Sequence, residues 1–191
     1  MNTISASKVD IFVEQTPNPN ALKFILDRDV KRTGKITYTN REECHNNELA
    51  QVLFSVQNVS QVYFSENVIT ITQNGSGNWE DIEYRVKAII HEKIAAHNSD
   101  FDTRVDEAAL RAAMPAVIQE IEAILDRTIR PGLRGDGGDL DVTEYNTEKK
   151  LLTVRYQGAC GSCPSSAAGT LMAIQGILRD EFDPEIEVIS L

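Results

Sequence analysis

A pair of cysteines near the end of the chain constrains its folding more than any other feature. Cys160 and Cys163 lie in GACGSCPSS, between a run that alternates like a β-strand and a run with helical periodicity. The glycines around the pair predict an exposed loop that joins the strand to the helix. Because two thiolates at this spacing can bind the same metal centre, the loop is the first candidate for a functional site.

The length and composition predict two small folded domains. The chain has 191 residues, whereas single domains most often have about 100–150. A hydrophobic content of 41% and a charged content of 25% are typical of a folded protein. The polar segment 97–104 lacks periodicity, so we predict domains at residues 1–98 and 107–191, joined by a linker at 99–106.

The charge and the start of the chain bear on partners and location. A formal net charge of -10 lacks the excess of Lys and Arg that neutralises phosphates, so we expect neither nucleic acid nor membrane as a partner. The first fifteen residues resemble neither a secretory signal nor a transit peptide. With three cysteines, too few for a disulfide framework, these features predict a cytoplasmic protein with reduced thiols.

The first half mixes strand and helix patterns. Runs rich in β-branched and aromatic residues predict strands, and apolar positions at a spacing of three to four predict helices. The predicted strands are Asp10–Gln15, Ala21–Leu26, Gln61–Ser65 and Val68–Gln73, and the predicted helices are Glu48–Val56 and Trp79–Ala96. The last two strands flank Glu66-Asn67 and form a hairpin.

The second half alternates helix, strand, strand, helix, strand. The predicted segments are a helix at 114–129, strands Leu140–Glu144 and Leu151–Gln157, a helix from Pro164 to Asp180 and a strand Glu185–Ser190. We expect Arg130-Pro131-Gly132 to end the first helix, because proline disfavours a helical residue before it. This order predicts a three-stranded sheet with two helices on one face, and thus an α+β fold for each domain.

The position of the cysteine pair suggests metal or redox chemistry. A loop that enters a helix offers unpaired N–H groups and the positive end of the helix dipole, which favour the thiolate form that metals require. Gly158 and Gly161 leave room for main-chain N–H groups to approach the sulfurs. A dithiol–disulfide site of the thioredoxin kind is the alternative, although Pro164 follows the pair and does not separate its members.

One chain supplies only half of a usual ligand set. Iron–sulfur clusters are normally held by four thiolates, and structural zinc by four nitrogen or sulfur ligands. The three histidines, His45, His91 and His97, lie in the other half of the chain. We therefore predict a homodimer in which Cys160 and Cys163 of both copies hold one cluster, with a zinc-bridged dimer as a weaker alternative.

Two stretches resemble a known family. RPGLRGDGGDLDV (130–142), LLTVRYQG (151–158) and GACGSCPSS resemble the C-terminal domain of NifU, or Nfu, proteins, and TPNPNALKF (16–24) resembles the start of the Nfu N-terminal domain. The resemblance implies a carrier or scaffold, not an enzyme, that receives an iron–sulfur cluster from donor proteins and passes it to apo-proteins. It also implies a 4Fe–4S cluster, or else 2Fe–2S, with Cys160 and Cys163 as ligands.

Three other motifs favour structural roles. RGDGGDLD (134–141) has neither a P-loop lysine nor the ligand spacing of an EF-hand, so its glycines and aspartates are interpreted as turn residues, and the family resemblance implies a structural loop beside the cysteines. Arg127, Arg130 and Arg134 are interpreted as cations that suit a helix C-terminus. Cys44 and His45 are neighbours that rarely chelate together, and we expect an ordinary surface or semi-buried pair. No Ser, His and Asp arrangement with a nucleophile motif is visible.

Overall fold

The computed structural model describes residues 9–101, 107–162 and 166–191, and of 107, 108, 162 and 166–168 it describes the main chain only. These residues form two β-sheets with helices, so the α+β class is confirmed. The division into domains stays a prediction, and most of its linker, 102–106, lies outside the described residues.

The N-terminal sheet has five antiparallel strands in the order β1-β2-β5-β4-β3. The strands are β1 (Ile11–Gln15), β2 (Ala21–Leu26), β3 (Lys31–Tyr38), β4 (Val59–Glu66) and β5 (Val68–Gln73), and the helices are α1 (Glu48–Leu53) and α2 (Trp79–Lys93). One face of the sheet contributes Phe24, Phe64 and Ile71 to a core that α1 and α2 cover.

The strand β3 was not predicted from the sequence. Its residues KRTGKITY are mostly polar, and Gly34 has a φ of 73° where the register with β4 shifts between Lys31 and Lys35. This irregularity interrupts the alternation that marks a strand in sequence. Only Ile36 and Tyr38 belong to or pack on the core.

The C-terminal sheet has three strands, with β7 in the centre. Its strands are β6 (Gly138–Asn146), β7 (Leu151–Gly158) and β8 (Glu187–Ser190), and the helices are α3 (Glu107–Ala113), α4 (Ala116–Thr128), α5 (Arg130–Gly135) and α6 (Ser166–Glu181). The helices α4 and α6 pack through Ile121, Leu125 and Ile174 on a core that includes Leu152 and Val154 of β7.

The C-terminal helices differ from the expectation in two places. A short helix, α3, precedes α4, and the segment predicted to end a helix begins the additional helix α5. Pro131 is compatible with α5 because it lies in the first turn, where its missing N–H would have no partner.

The pairing of β8 explains why a helix follows the cysteines. β6 and β7 are antiparallel, whereas β7 and β8 run parallel. Since parallel neighbours require a crossover connection, the chain leaves the carboxyl end of β7, passes Cys160 and returns along α6. The helix α6 is the longest described helix, with 16 residues, and within the described ranges no helix is long and apolar enough to cross a bilayer.

Candidate functional site: the cysteine loop and the sheet face against it

Cys160 lies in a short 3₁₀ turn, Ala159–Ser162, directly after β7. Cys160 is only 7% exposed and belongs to the C-terminal core, so the expectation of an exposed loop is wrong for this residue. The predicted partner ligand, Cys163, lies outside the described residues. The structure therefore places the first thiol of the predicted pair at the start of the crossover between two parallel strands.

The glycine that packs against the sulfur of Cys160 is Gly138, which was not singled out from the sequence. A Cβ atom on Gly138 would lie 2.6 Å from Cys160 Sγ and 3.0 Å from its backbone nitrogen. Gly158 has a φ of 60°, and a Cβ there would lie 2.6 Å from the carbonyl oxygen of Gly137. The consecutive glycines in RGDGGD are the sequence signal for this close packing, and they agree with its interpretation as a loop beside the cysteines.

The second face of the N-terminal sheet is polar and lies against this loop. Lys23 pairs with Thr70 across β2 and β5, Thr70 with Tyr63 across β5 and β4, and Tyr63 with Thr37 across β4 and β3. Directly opposed residues of antiparallel strands share a face. Lys35 and Gln61 lie on the same face of the sheet, and Asn18, in the turn between β1 and β2, extends it. We call these residues together the polar face. The polar face consists of Asn18, Lys23, Lys35, Thr37, Gln61, Tyr63 and Thr70.

Side chains of the polar face donate hydrogen bonds to the main chain around Cys160. Asn18 Nδ2 donates to the carbonyl of Ala159 at 2.9 Å, and Gln61 Nε2 to that of Gly158 at 2.8 Å. Thr70 Oγ1 donates to the carbonyl of Gly137 at 2.8 Å. The polar face thus contacts both segments that flank the cysteine.

Lysines of the polar face add charged contacts. Lys23 Nζ donates to the carbonyl of Gly135 at 2.8 Å. Lys35 Nζ donates to the carbonyl of Leu140 at 2.9 Å and lies 3.0 Å from carboxylate oxygens of both Asp139 and Asp141. The loop 134–141, whose aspartates could suggest a cation site, therefore uses two of them in ion pairs with protein side chains.

Arg130 has a different role from the one predicted. It is 1% exposed, and its Nη1 lies 2.7 Å from Glu122 Oε2 and 2.6 Å from Asp126 Oδ1. The interpretation as a cation at a helix C-terminus fails for Arg130 because α5 begins at this residue and buries its side chain. The two neighbouring arginines, Arg127 and Arg134, are half exposed and pair with Glu181 and Asp139, so the three do not form one basic surface.

Tyr156 provides a hydrogen-bond donor for a negatively charged group bound to Cys160. Its hydroxyl is buried and has no hydrogen-bond partner within the described part of the chain. Burial, and secondarily the negative charge of a Cys160 thiolate, raise the pKa of Tyr156 to about 12. The hydroxyl is thus a protonated donor, and an anionic cluster on Cys160 would supply an acceptor. Among the described residues, the thiol of Cys160 and the hydroxyl of Tyr156 are thus the two groups of this site that could contact a cluster.

The remaining sulfur and imidazole groups lie elsewhere. Cys44 is fully buried in the N-terminal core, whereas His45 is exposed, so the expectation of a surface or semi-buried pair is wrong for Cys44. The ring of His97 lies 2.7 Å from the carbonyl oxygen of Val30. Among the described residues, no three or more His, Cys, Asp or Glu side chains are grouped to hold a metal ion.

Two family models match the chain, one in the part that forms the N-terminal sheet and one in the part that forms the C-terminal sheet. The model described as "Scaffold protein Nfu/NifU N terminal" matches residues 11–97, and the "NifU-like domain" matches residues 121–189. The second match contains the cysteine loop, and the first contains the polar face. The chain belongs to the Nfu/NifU family, as the resemblance in its sequence indicates.

Relatives align with nearly the whole chain. It is 26% identical to NifU-like protein 5, mitochondrial, of Arabidopsis thaliana, covering 93% of this chain and 70% of the relative. It is 31% identical to the NFU1 iron-sulfur cluster scaffold homolog, mitochondrial, of Drosophila virilis, covering 99% of this chain and 63% of the relative. A solution structure of a Saccharomyces cerevisiae NifU-like protein has 24% identity and a TM-score of 0.45, covering 50% of this chain and 85% of that one.

These relatives correct one prediction. The expectation of a cytoplasmic protein is wrong, because relatives that align with more than nine tenths of this chain are named as mitochondrial. The expectation depended on the composition of the first fifteen residues and on the small number of cysteines.

Proposed function

We propose that this protein is an iron–sulfur cluster carrier that holds a cluster through Cys160 and Cys163 and passes it to apo-proteins. The observation that carries the proposal is the position of Cys160 in a glycine-lined turn of a domain that matches the NifU-like family. Support also comes from the Drosophila virilis relative, which is named as an iron–sulfur cluster scaffold. The cluster is cargo, so its release is part of the function.

The number of ligands favours a site shared by two copies. A cluster normally needs four thiolates, and the described residues offer no group of three metal-binding side chains. Cys160 and Cys163 from two chains related by a two-fold axis would complete the set. We therefore propose a cluster-bridged homodimer with a 4Fe–4S cluster, for which 2Fe–2S is the alternative.

The residues around Cys160 have separate tasks in this proposal. Gly138 keeps the space beside the sulfur free of a side chain, Gly158 allows the close approach of the Gly137 main chain, and the buried Tyr156 hydroxyl is available as a donor to the negatively charged centre. Because ligands contributed by two subunits separate when the subunits part, such a site favours transfer to an acceptor over permanent retention. Apo iron–sulfur proteins are the expected acceptors, and cluster donor proteins the expected source.

Anaerobic reconstitution with iron and sulfide tests the proposal. We expect about four irons per dimer, absorbance near 400 nm, and a particle of twice the 21.2 kDa mass of one chain. Cys160→Ser and Cys163→Ser should each abolish loading, while Cys44→Ala should load fully because Cys44 lies in the other core. A loaded monomer would contradict the bridged site, and a colourless protein that reduces disulfides would indicate the oxidoreductase alternative.

Transfer is measured separately. The loaded dimer is mixed with an apo-protein that requires a 4Fe–4S cluster for activity, and the recovered activity is followed with time. We expect transfer within minutes and conversion of the dimer to the cluster-free form. A cluster that stays on the protein while free iron and sulfide activate the acceptor would contradict carriage.

A further inference from the structure

We propose that the polar face of the N-terminal sheet positions Cys160, with Thr70, Asn18 and Gln61 as positioning residues for this cluster ligand. The inference rests on the proposed function, because Cys160 is a ligand only if the protein holds a cluster. It assigns the N-terminal half a role in the site itself.

The hydrogen bonds form a continuous series across the two sheets. The carbonyl of Gly137 accepts from Thr70 Oγ1 at 2.8 Å and also from the N–H of Ala159 at 3.1 Å. The carbonyl of Ala159 accepts from Asn18 Nδ2 at 2.9 Å. Each side chain therefore fixes a peptide group that is adjacent in sequence either to Cys160 or to Gly138, the glycine against its sulfur.

Because the donors of these bonds are buried, the bonds favour one conformation of the loop over others. Thr70 is 0% exposed and Asn18 1% exposed, and a buried donor without an acceptor costs about 1–3 kcal/mol. The donors of Thr70, Asn18 and Gln61 are satisfied by main-chain carbonyls of the loop, so a loop conformation that moves these carbonyls away leaves the donors unpaired. The sheet consequently stabilises one conformation of the loop, in addition to holding the loop close to the sheet.

Thr72 provides an internal comparison. It lies two residues from Thr70 on the same strand, so its side chain points to the same side of the sheet. Thr72 is 2% exposed, and its hydroxyl has no hydrogen-bond partner in the part of the chain that the structure describes. The two threonines thus share strand, face and burial, and differ in the bond to the loop.

The test uses the cluster-free full chain and compares Thr70→Val, Thr70→Ser and Thr72→Val. We measure the rate of iodoacetamide labelling of Cys160, resolved by mass spectrometry, and the amide hydrogen exchange of Ala159. We expect Thr70→Val to accelerate both about fivefold, the factor that one buried hydrogen bond contributes to a local opening equilibrium. Thr70→Ser, which keeps the donor, should restore rates close to those of the native protein, and Thr72→Val should leave them unchanged.

If Thr70 only stabilised the fold, the labelling and exchange rates of the variants would show a different pattern. If Thr70→Val and Thr72→Val change both rates equally, or if Thr70→Val accelerates exchange equally throughout the chain with a matching loss of urea resistance, the positioning role is overturned. Asn18→Asp is the second variant, since it keeps the shape and the oxygen that accepts from the Asn20 N–H at 3.0 Å but removes the donor to Ala159. We expect a local acceleration at least as large as that of Thr70→Val, because a buried carboxylate oxygen then faces the carbonyl oxygen of Ala159, and unchanged rates would overturn the proposal.

The loaded protein separates this inference from the proposed function. Wild-type protein that takes up no iron would refute the carrier, whatever the labelling rates of the variants. Wild-type protein that loads, with a cluster lifetime equal in Thr70→Val and Thr72→Val, would refute the positioning role alone. We expect the cluster of Thr70→Val to be lost about fivefold faster than that of Thr72→Val.

Discussion

Gly138 and Cys160 pack so closely that no carbon atom fits between them. A Cβ on Gly138 would lie 2.6 Å from Cys160 Sγ and also 2.6 Å from the carbonyl oxygen of Gln157. Since one of the contacts is with main chain, a rotamer change of Cys160 cannot relieve both. The absence of a side chain at Gly138 is therefore a condition for the observed position of the sulfur.

Gly138→Ala should displace the cysteine loop. We expect it to lower the free energy of unfolding by about 1–3 kcal/mol, as for other additions to a packed core, and to reduce iron per dimer after reconstitution. Gly135→Ala is the matched control, because a Cβ there has nothing within 4 Å. Urea denaturation and iron analysis measure both effects. Equal behaviour of the two variants would show that the crowding at Cys160 is relieved without consequence.

The sequence predicted local elements far better than contacts between them. β2 and β5 have the predicted bounds, Ala21–Leu26 and Val68–Gln73, because apolar and β-branched runs with turn residues at both ends carry their own signal. β3 was missed because its polar residues face the other sheet, as Lys35 and Thr37 do. The bond from Asn18 to Ala159 spans 141 positions, and no local pattern indicates it.

The site was predicted in the same uneven way. Spacing and glycine content indicated the cysteine loop, and the position of Cys160 between β7 and α6 agrees with that prediction, while the role of Cys163 stays a prediction. Arg130 was interpreted as a cation at a helix C-terminus because helix-dipole arguments consider only its own helix. Its burial depends on Glu122 and on Asp139, which come from different elements, and such a cluster is visible only after folding.

Arg130 should be among the most sensitive positions for stability. Its guanidinium is buried between the carboxylates of Glu122 and Asp126, and its Nε lies 3.4 Å from Asp139 Oδ1. Arg130→Met keeps much of the side-chain volume but removes one of the positively charged partners of the largely buried Glu122 carboxylate. We expect a loss of about 3–5 kcal/mol in the free energy of unfolding, measured by urea denaturation.

The control for this prediction is Arg127→Met. Arg127 pairs with Glu181 at the surface, where its side chain is 55% exposed, and exposed pairs contribute about 0–1 kcal/mol. A result in which the two substitutions have similar costs would contradict the role assigned to the buried cluster.

His97 should make stability depend on pH. Burial lowers the pKa of His97, and the hydrogen bond to the carbonyl of Val30 opposes this only in part. Below about pH 6.5, the ordinary histidine value, the unfolded chain therefore binds a proton that the folded chain does not. The contribution of His97 is fully present above that pH and is lost as the pH falls toward the lowered pKa of the folded state.

Urea midpoints between pH 5 and pH 8 measure this dependence. We expect the midpoint to fall below about pH 6.5 and expect His97→Gln to reduce the fall. His91→Gln, on the exposed side of α2, is the matched control and should retain the profile of the native protein. If His97→Gln leaves the profile unchanged, other groups are responsible for it.

Cys44 should be unreactive toward thiol reagents in the folded protein. It is 0% exposed, and its Sγ lies 3.4 Å from the carbonyl oxygen of Asn40. Burial, and secondarily the charges of Glu43 and Glu42, raise the pKa of Cys44 to about 11. Because only the thiolate reacts quickly, we expect iodoacetamide at pH 8 to leave Cys44 unlabelled in native protein and to label it after unfolding in urea. Mass spectrometry of the peptide that contains Cys44 measures both. Native labelling at the rate of an exposed cysteine would contradict this burial and would mean that Cys44 also reacts during reconstitution.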